Sequence, residues 1–140
     1  MSDFDDLNAA LNTRGEGMLP GHLGLQFERQ PDQSMRAWFD VAQHHQAPNG
    51  FLHAGSVVTL ADTAAGYGCM MNLPEGATGF TTVELKSNFV GTARQGRVET
   101  HASMLHGGRT TQVWDAVVTH ADKPIAYFRC TQMILYPRAA

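Results

Sequence analysis

Cysteine is scarce in this 140-residue chain: only Cys69 and Cys130, with no CxxC or Cys/His spacing of a metal site. Both lie in apolar stretches and read as buried thiols. No basic stripe is present either. Lys and Arg number 10 against 13 Asp and Glu, for a formal net charge of -3, which argues against sequence-independent nucleic-acid binding. No apolar run nears the roughly 20 residues that a membrane span needs. The first residues, Met1-Ser2-Asp3-Phe4-Asp5-Asp6, lack the basic start and apolar core of a signal peptide. These absences set the expectation of a cytoplasmic protein with neither membrane nor nucleic acid as partner. What remains is 43% hydrophobic and 16% charged residues, the make-up of one globular domain over 1–140.

Periodicity divides that domain into an N-terminal helix and loop, 1–20, and a core, 21–140. Phe4, Leu7, Ala10 and Leu11 recur at helical spacing behind an acidic first turn. Gly15, Gly17, Pro20 and Gly21 then break the chain. Alternation of Leu23, Leu25 and Phe27 predicts a strand from His22 to Glu28, and that of Met35, Ala37, Phe39 and Val41 predicts a second. A polar loop follows, in which the adjacent His44 and His45 are expected at the surface, pointing apart and unsuited to joint metal binding. Val57, Leu60, Ala61, Ala64, Gly68 and Met71 then form the stripe of a helix with one buried face. Its many Ala and Gly residues predict close packing against another backbone. Four strands complete the chain, near 80–89, 98–104, 111–118 and 125–136, and all but the first two are joined by short turns. The order predicts an α+β domain, an antiparallel sheet on one long helix, whose exposed edges a symmetric dimer can cover.

Leu52-His53-Ala54-Gly55, followed by Leu60-Ala61-Asp62-Thr63-Ala64, resembles the hotdog-fold acyl-CoA thioesterases of the phenylacetate-degradation type. Their relatives include the 4-hydroxybenzoyl-CoA thioesterases. The resemblance continues through Thr82-Val83-Glu84-Leu85-Lys86-Ser87-Asn88-Phe89 and His106-Gly107-Gly108-Arg109-Thr110, and covers roughly residue 20 to the end. It implies a hotdog fold, with the sheet wrapped around the central helix, and hydrolysis of an aryl- or medium-chain acyl-CoA. It implies no cofactor and no metal, coenzyme A being part of the substrate. The family's His-Gly-Gly reads His-Ala-Gly here, and Ala54 keeps the backbone amide while narrowing the space beside it.

Thioester hydrolysis needs an activated water or a nucleophile, and donors for the oxyanion. The helix start at His53-Ala54-Gly55 offers unpaired N–H groups and a favourable dipole. Asp62, the only acidic residue of the helix, is the candidate nucleophile or general base. The alternative is a structural Asp that bonds within the packing or faces solvent. His53 touches the substrate carbonyl or simply caps the loop. By resemblance Thr82 assists the water, although a Thr there also suits a strand. Relatives carry an Asn or Gln where this chain has Ala47, so Asn49 or Gln46 is the candidate replacement. Arg94, Gly108 and Arg109 suit the phosphates of coenzyme A, or are solvated turn residues.

Ala54 and Asp62 are eight positions apart, about 12 Å along a helix. One carbonyl cannot easily meet both from one chain, so the site is expected to combine two subunits of a homodimer or a dimer of dimers. Two rival functions stay open at this point. One is a non-catalytic acyl-CoA-binding module. The other is an acyl-thioester hydratase or dehydratase, whose Asp-x-Asn-Pro-x-His pattern is absent.

Overall fold

The computed structural model describes residues 3–138. Helix α1 (Asp3–Arg14) and the helical turn α2 (Leu19–His22) precede strands β1 (Gln26–Arg29) and β2 (Met35–Asp40). A 3-10 turn (Gln43–His45) leads into the long helix α3 (Ala54–Met71), and β3 (Gly79–Phe89), β4 (Arg97–Gly107), β5 (Thr111–His120) and β6 (Lys123–Leu135) follow. All six strands pair antiparallel in one sheet, ordered β1-β2-β4-β5-β6-β3. The crossover that α3 makes between β2 and β3 separates these two strands by three others.

Strand alternation delivers one face of this sheet to α3. Met35, Ala37 and Phe39 of β2, Val98 and Ala102 of β4, Trp114 and Ala116 of β5, and Phe128 and Cys130 of β6 are all buried. Against them lie Leu60, Ala61, Ala64, Ala65 and Cys69 of α3. The small residues permit the close approach anticipated from composition. A Cβ on Gly68 would stand 2.6 Å from the Trp114 ring. That ring is pinned in turn, because Trp114 Nε1 donates to Gln112 Oε1 (2.8 Å), whose amide donates to the carbonyl of Asn72 at the end of α3 (2.8 Å). Both cysteines are buried, as the sequence predicts. Burial pushes the Cys69 thiol up to about 11. Cys130 goes to about 12, by burial first and then by the negative charge of nearby Asp62.

The two sheet edges differ. Asn8 and Asn12 of α1 occupy the β1 edge: Asn8 Oδ1 accepts from the Arg29 amide (2.9 Å), Asn12 Oδ1 accepts from the Phe27 amide (2.7 Å), and Asn12 Nδ2 donates to the Phe27 carbonyl (3.0 Å). Among the described residues the β3 edge carries no such cover, and Val83, Leu85 and Phe89 are exposed there. Two expectations change. The strand expected from His22 starts only at Gln26, because Pro20 opens the turn α2 and Gly24 takes φ 70°. His45 is buried rather than on the surface, since the helical turn at 43–45 removes the alternation of an extended chain. Among the described residues, no helix is long and apolar enough to cross a membrane.

Candidate active site

Helix α3 begins on a cap. His53 Nδ1 accepts the Gly55 N–H (2.7 Å), and the His53 carbonyl receives the Ser56 amide (3.0 Å). His53 is itself held from behind: its N–H donates to the carbonyl of His45 (3.0 Å), which also accepts the Ser56 hydroxyl (2.9 Å). His45 is fixed at both ring nitrogens. Its Nδ1 accepts the Ala42 amide (2.9 Å), so Nε2 carries the proton and donates to the Leu23 carbonyl (2.7 Å). Burial holds this imidazole below its ordinary pKa. A Cβ at position 55 would lie 2.9 Å from His53 Nδ1, so a larger residue there would displace the capping ring. Of the two amides expected to face an oxyanion, the Gly55 N–H is thus donated to His53. The Ala54 N–H has no acceptor among the described residues.

Two turns along α3, Asp62 faces a pocket of about 230 Å³. Arg14, Thr63, Gly66, Tyr67, Met70, Phe80 and Thr82 form the rest of its lining. Asp62 Oδ1 is buried without a hydrogen-bond partner. Burial alone raises this carboxyl above its ordinary value, as desolvation does to any acid that lacks compensating donors. Thr82 is brought to the same pocket and oriented there, its hydroxyl donating to Gln132 Oε1 (2.6 Å). Gln132 is fully buried on β6, and its amide contacts Cys130 Sγ (3.5 Å).

The remaining candidates lie elsewhere. Asn49 turns its Oδ1 back onto the Phe51 amide (3.1 Å), shaping its own loop tip. Gln46 Nε2 donates to the carbonyl of Arg94 (3.4 Å), and the Arg94 guanidinium lies over the Phe51 ring at 4.9 Å. Arg94 therefore belongs with the start of α3. Gly108 and Arg109 sit at the opposite end of α3, around a hollow that Asn72 and Pro74 share. The Gly108 amide closes the hairpin onto Thr111 (2.8 Å), and Arg109 lies over Tyr136 at 5.7 Å. One chain therefore joins Asp62 to Thr82, and His53, Ala54 and Gly55 to Arg94, as two separate clusters. A further hollow on the outer face of the sheet contains Asp115 and Arg129, which pair with each other.

Arg14, which lines the pocket, and Gln132, which orients Thr82, are not among the residues the sequence points to. Gln132 leaves one trace there, as a polar residue on the inward face of an otherwise apolar alternation. Arg14 leaves none.

Comparison with known proteins agrees with this architecture. Residues 49–126 match the Thioesterase superfamily. The chain is 38% identical over 108 residues to a 1,4-dihydroxy-2-naphthoyl-CoA hydrolase of Escherichia coli, covering 75% of this chain and 76% of the relative. It is 30% identical to a proofreading thioesterase of Cronobacter turicensis, over 78% and 79% of the two chains. The crystal structure of a mutant thioesterase from Pseudomonas aeruginosa superposes with a TM-score of 0.86 at 29% identity, covering 96% of this chain and 95% of the other. These matches take in the whole stretch from the α3 cap through β5, and the chain belongs to the Thioesterase superfamily of hotdog-fold thioester hydrolases.

Proposed function

We propose that Asp62 is the reacting carboxylate in the hydrolysis of an acyl-CoA thioester with an aromatic acyl group. The observation that carries this reading is the unpartnered Oδ1 of Asp62, buried in an otherwise largely apolar pocket. A structural aspartate would spend that oxygen on a hydrogen bond. A reacting one keeps it for water or for the carbonyl carbon. Thr82, oriented by Gln132, holds the attacking water. The open Ala54 N–H, at the positive end of α3, receives the oxyanion. Phe80, Tyr67 and Met70 form the acyl slot, and Gly66 keeps it flat, since a Cβ there would come within 3.3 Å of the Phe80 ring. The 1,4-dihydroxy-2-naphthoyl-CoA named for the Escherichia coli relative is a thioester of the same aromatic class.

Asp62 and Ala54 are about 12 Å apart along α3, so each site takes Ala54 from one subunit and Asp62 from its partner in a homodimer. The open β3 edge is the surface available for pairing. Replacement Asp62→Asn tests the role of the carboxylate. With a benzoyl-CoA substrate and a thiol reagent, turnover falls at least about a thousandfold while the ester still binds. Retention of wild-type turnover in that variant overturns the assignment.

A further inference from the structure

The cation in the Asp62 pocket has no role in the steps above. Arg14 ends α1, lines the pocket with Tyr67, Met70 and Phe80, and forms no ion pair among the described residues. Its charge reaches the Tyr67 phenol, where it opposes the rise that burial causes. Helix termini commonly carry a solvated arginine for its favourable interaction with the dipole, but this one is held in place with unusual thoroughness. On its N-terminal side, Asn12 grips the Phe27 backbone at both amide and carbonyl, and Leu11 is buried in the core. On its C-terminal side, buried Gly15 takes the amides of Met18 (3.0 Å) and Gly21 (3.1 Å) on its carbonyl. A Cβ on Gly21 would stand 2.4 Å from that carbonyl oxygen. The backbone at Arg14 is thus locked between a clamp and a tight double turn, and it places an exposed guanidinium, without an ion pair among the described residues, at the wall of the Asp62 pocket.

Resting on the aryl-thioesterase reading above, we propose that Arg14 determines substrate specificity by pairing with an anionic group at the end of the acyl moiety remote from the thioester. A guanidinium beside an aromatic wall binds a carboxylate through two parallel N–H donors, and because Arg14 is solvent-exposed the pairing draws on that bidentate geometry rather than on burial. Position along the helix limits the size of the group. Tyr67, the residue that senses Arg14, lies five positions beyond Asp62, about 7.5 Å along α3. That span accommodates one aromatic ring with a carboxylate para to the thioester carbonyl. The substrate class is therefore the monothioester of an aromatic dicarboxylic acid, with Phe80 and Gly66 flanking the ring.

The test compares kcat/KM for 4-carboxybenzoyl-CoA and benzoyl-CoA in the full chain and in Arg14→Gln and Arg14→Lys variants. Wild type favours the carboxylated ester, and Arg14→Gln lowers that preference about tenfold or more, chiefly through KM. Arg14→Lys retains part of it, because the charge survives while the bidentate geometry is lost. A preference ratio that differs by less than about twofold between wild type and Arg14→Gln overturns the assignment, because a residue serving only the helix dipole would leave the ratio unmoved. If 4-hydroxybenzoyl-CoA gains as much from Arg14 as the carboxylated ester, a neutral oxygen suffices and the anionic class is wrong. A wild-type chain inert toward every ester overturns the aryl-thioesterase reading and this proposal together; activity on all with an unchanged ratio overturns the Arg14 assignment alone.

Discussion

Asp62 sits where a carboxylate is useful and costly at once. Burial raises it above the ordinary carboxyl value of 3.8, and no described donor offsets the loss of water at Oδ1. The sign of the consequence follows from proton linkage. Below 3.8 the group is protonated in folded and unfolded chains alike and carries no penalty. As pH rises through the elevated folded value, the unfolded chain ionises more readily and stability is lost. Asp62→Asn, which removes the charge, therefore melts a few degrees above wild type at pH 7. The gap closes in acid, below the ordinary value. Thermal denaturation at the two pH values checks this, and an equal gap in acid and at neutrality would show that the carboxylate is not strained. The same shift sets the acid limb of the pH–rate profile. A carboxylate that must be ionised to react loses activity as pH falls through its own pKa, so the limb lies above 3.8, and a limb at or below that value contradicts the assignment.

At the scale of elements, α3 is defined by how near it comes to the sheet. Gly68 faces a tryptophan ring that cannot retreat, because Trp114 is fully buried and tethered through Gln112 to the end of the same helix. Gly68→Ala improves local helix propensity by about 1 kcal/mol, yet the collision at 2.6 Å outweighs it. The variant is expected to lose about 1–3 kcal/mol net in urea unfolding, and a gain in stability would mean that the helix can shift outward. This element was legible in the sequence. The stripe from Val57 to Met71, the Ala and Gly content and the alternating strands after it are local patterns, and they hold in the structure. Other features had no local signature. Asn8 and Asn12 clamp residues 21 and 15 positions away in sequence, His45 is drawn inward by the Leu23 carbonyl, and Arg14 reaches the pocket only because α1 folds back onto β1. The alternation around Leu23 suggested a strand, but Pro20 and Gly24 decided that stretch instead. Tertiary partners set the first three of these, whereas Pro20 and Gly24 are local signals that the alternation masks.

Among the described residues the sheet has one covered edge and one open one, and the halves of the proposed site stand two turns apart on a single helix. In the proposed two-fold dimer each subunit would give the same surface to the other, and each half-site would meet its complement across the interface. Two variants isolate the halves. Asp62→Asn removes the carboxylate. Ala54→Pro removes the open N–H with little effect on folding, since Ala54 is the first residue of α3 and proline is at home there. His53 already has the φ of -68° and ψ of 133° that a residue before proline adopts. Each homodimer is expected to be inactive or nearly so. When the two are unfolded together and refolded at equal concentration, half of the dimers are mixed. Each mixed dimer has one site with both defects and one built from an intact Ala54 and an intact Asp62. Activity then returns to roughly a quarter of wild type. If both groups served a carbonyl from the same chain, every site would keep a defect, and mixing would restore nothing. Refolding assays with the parents alone and mixed, with size measured by light scattering, decide between the two arrangements.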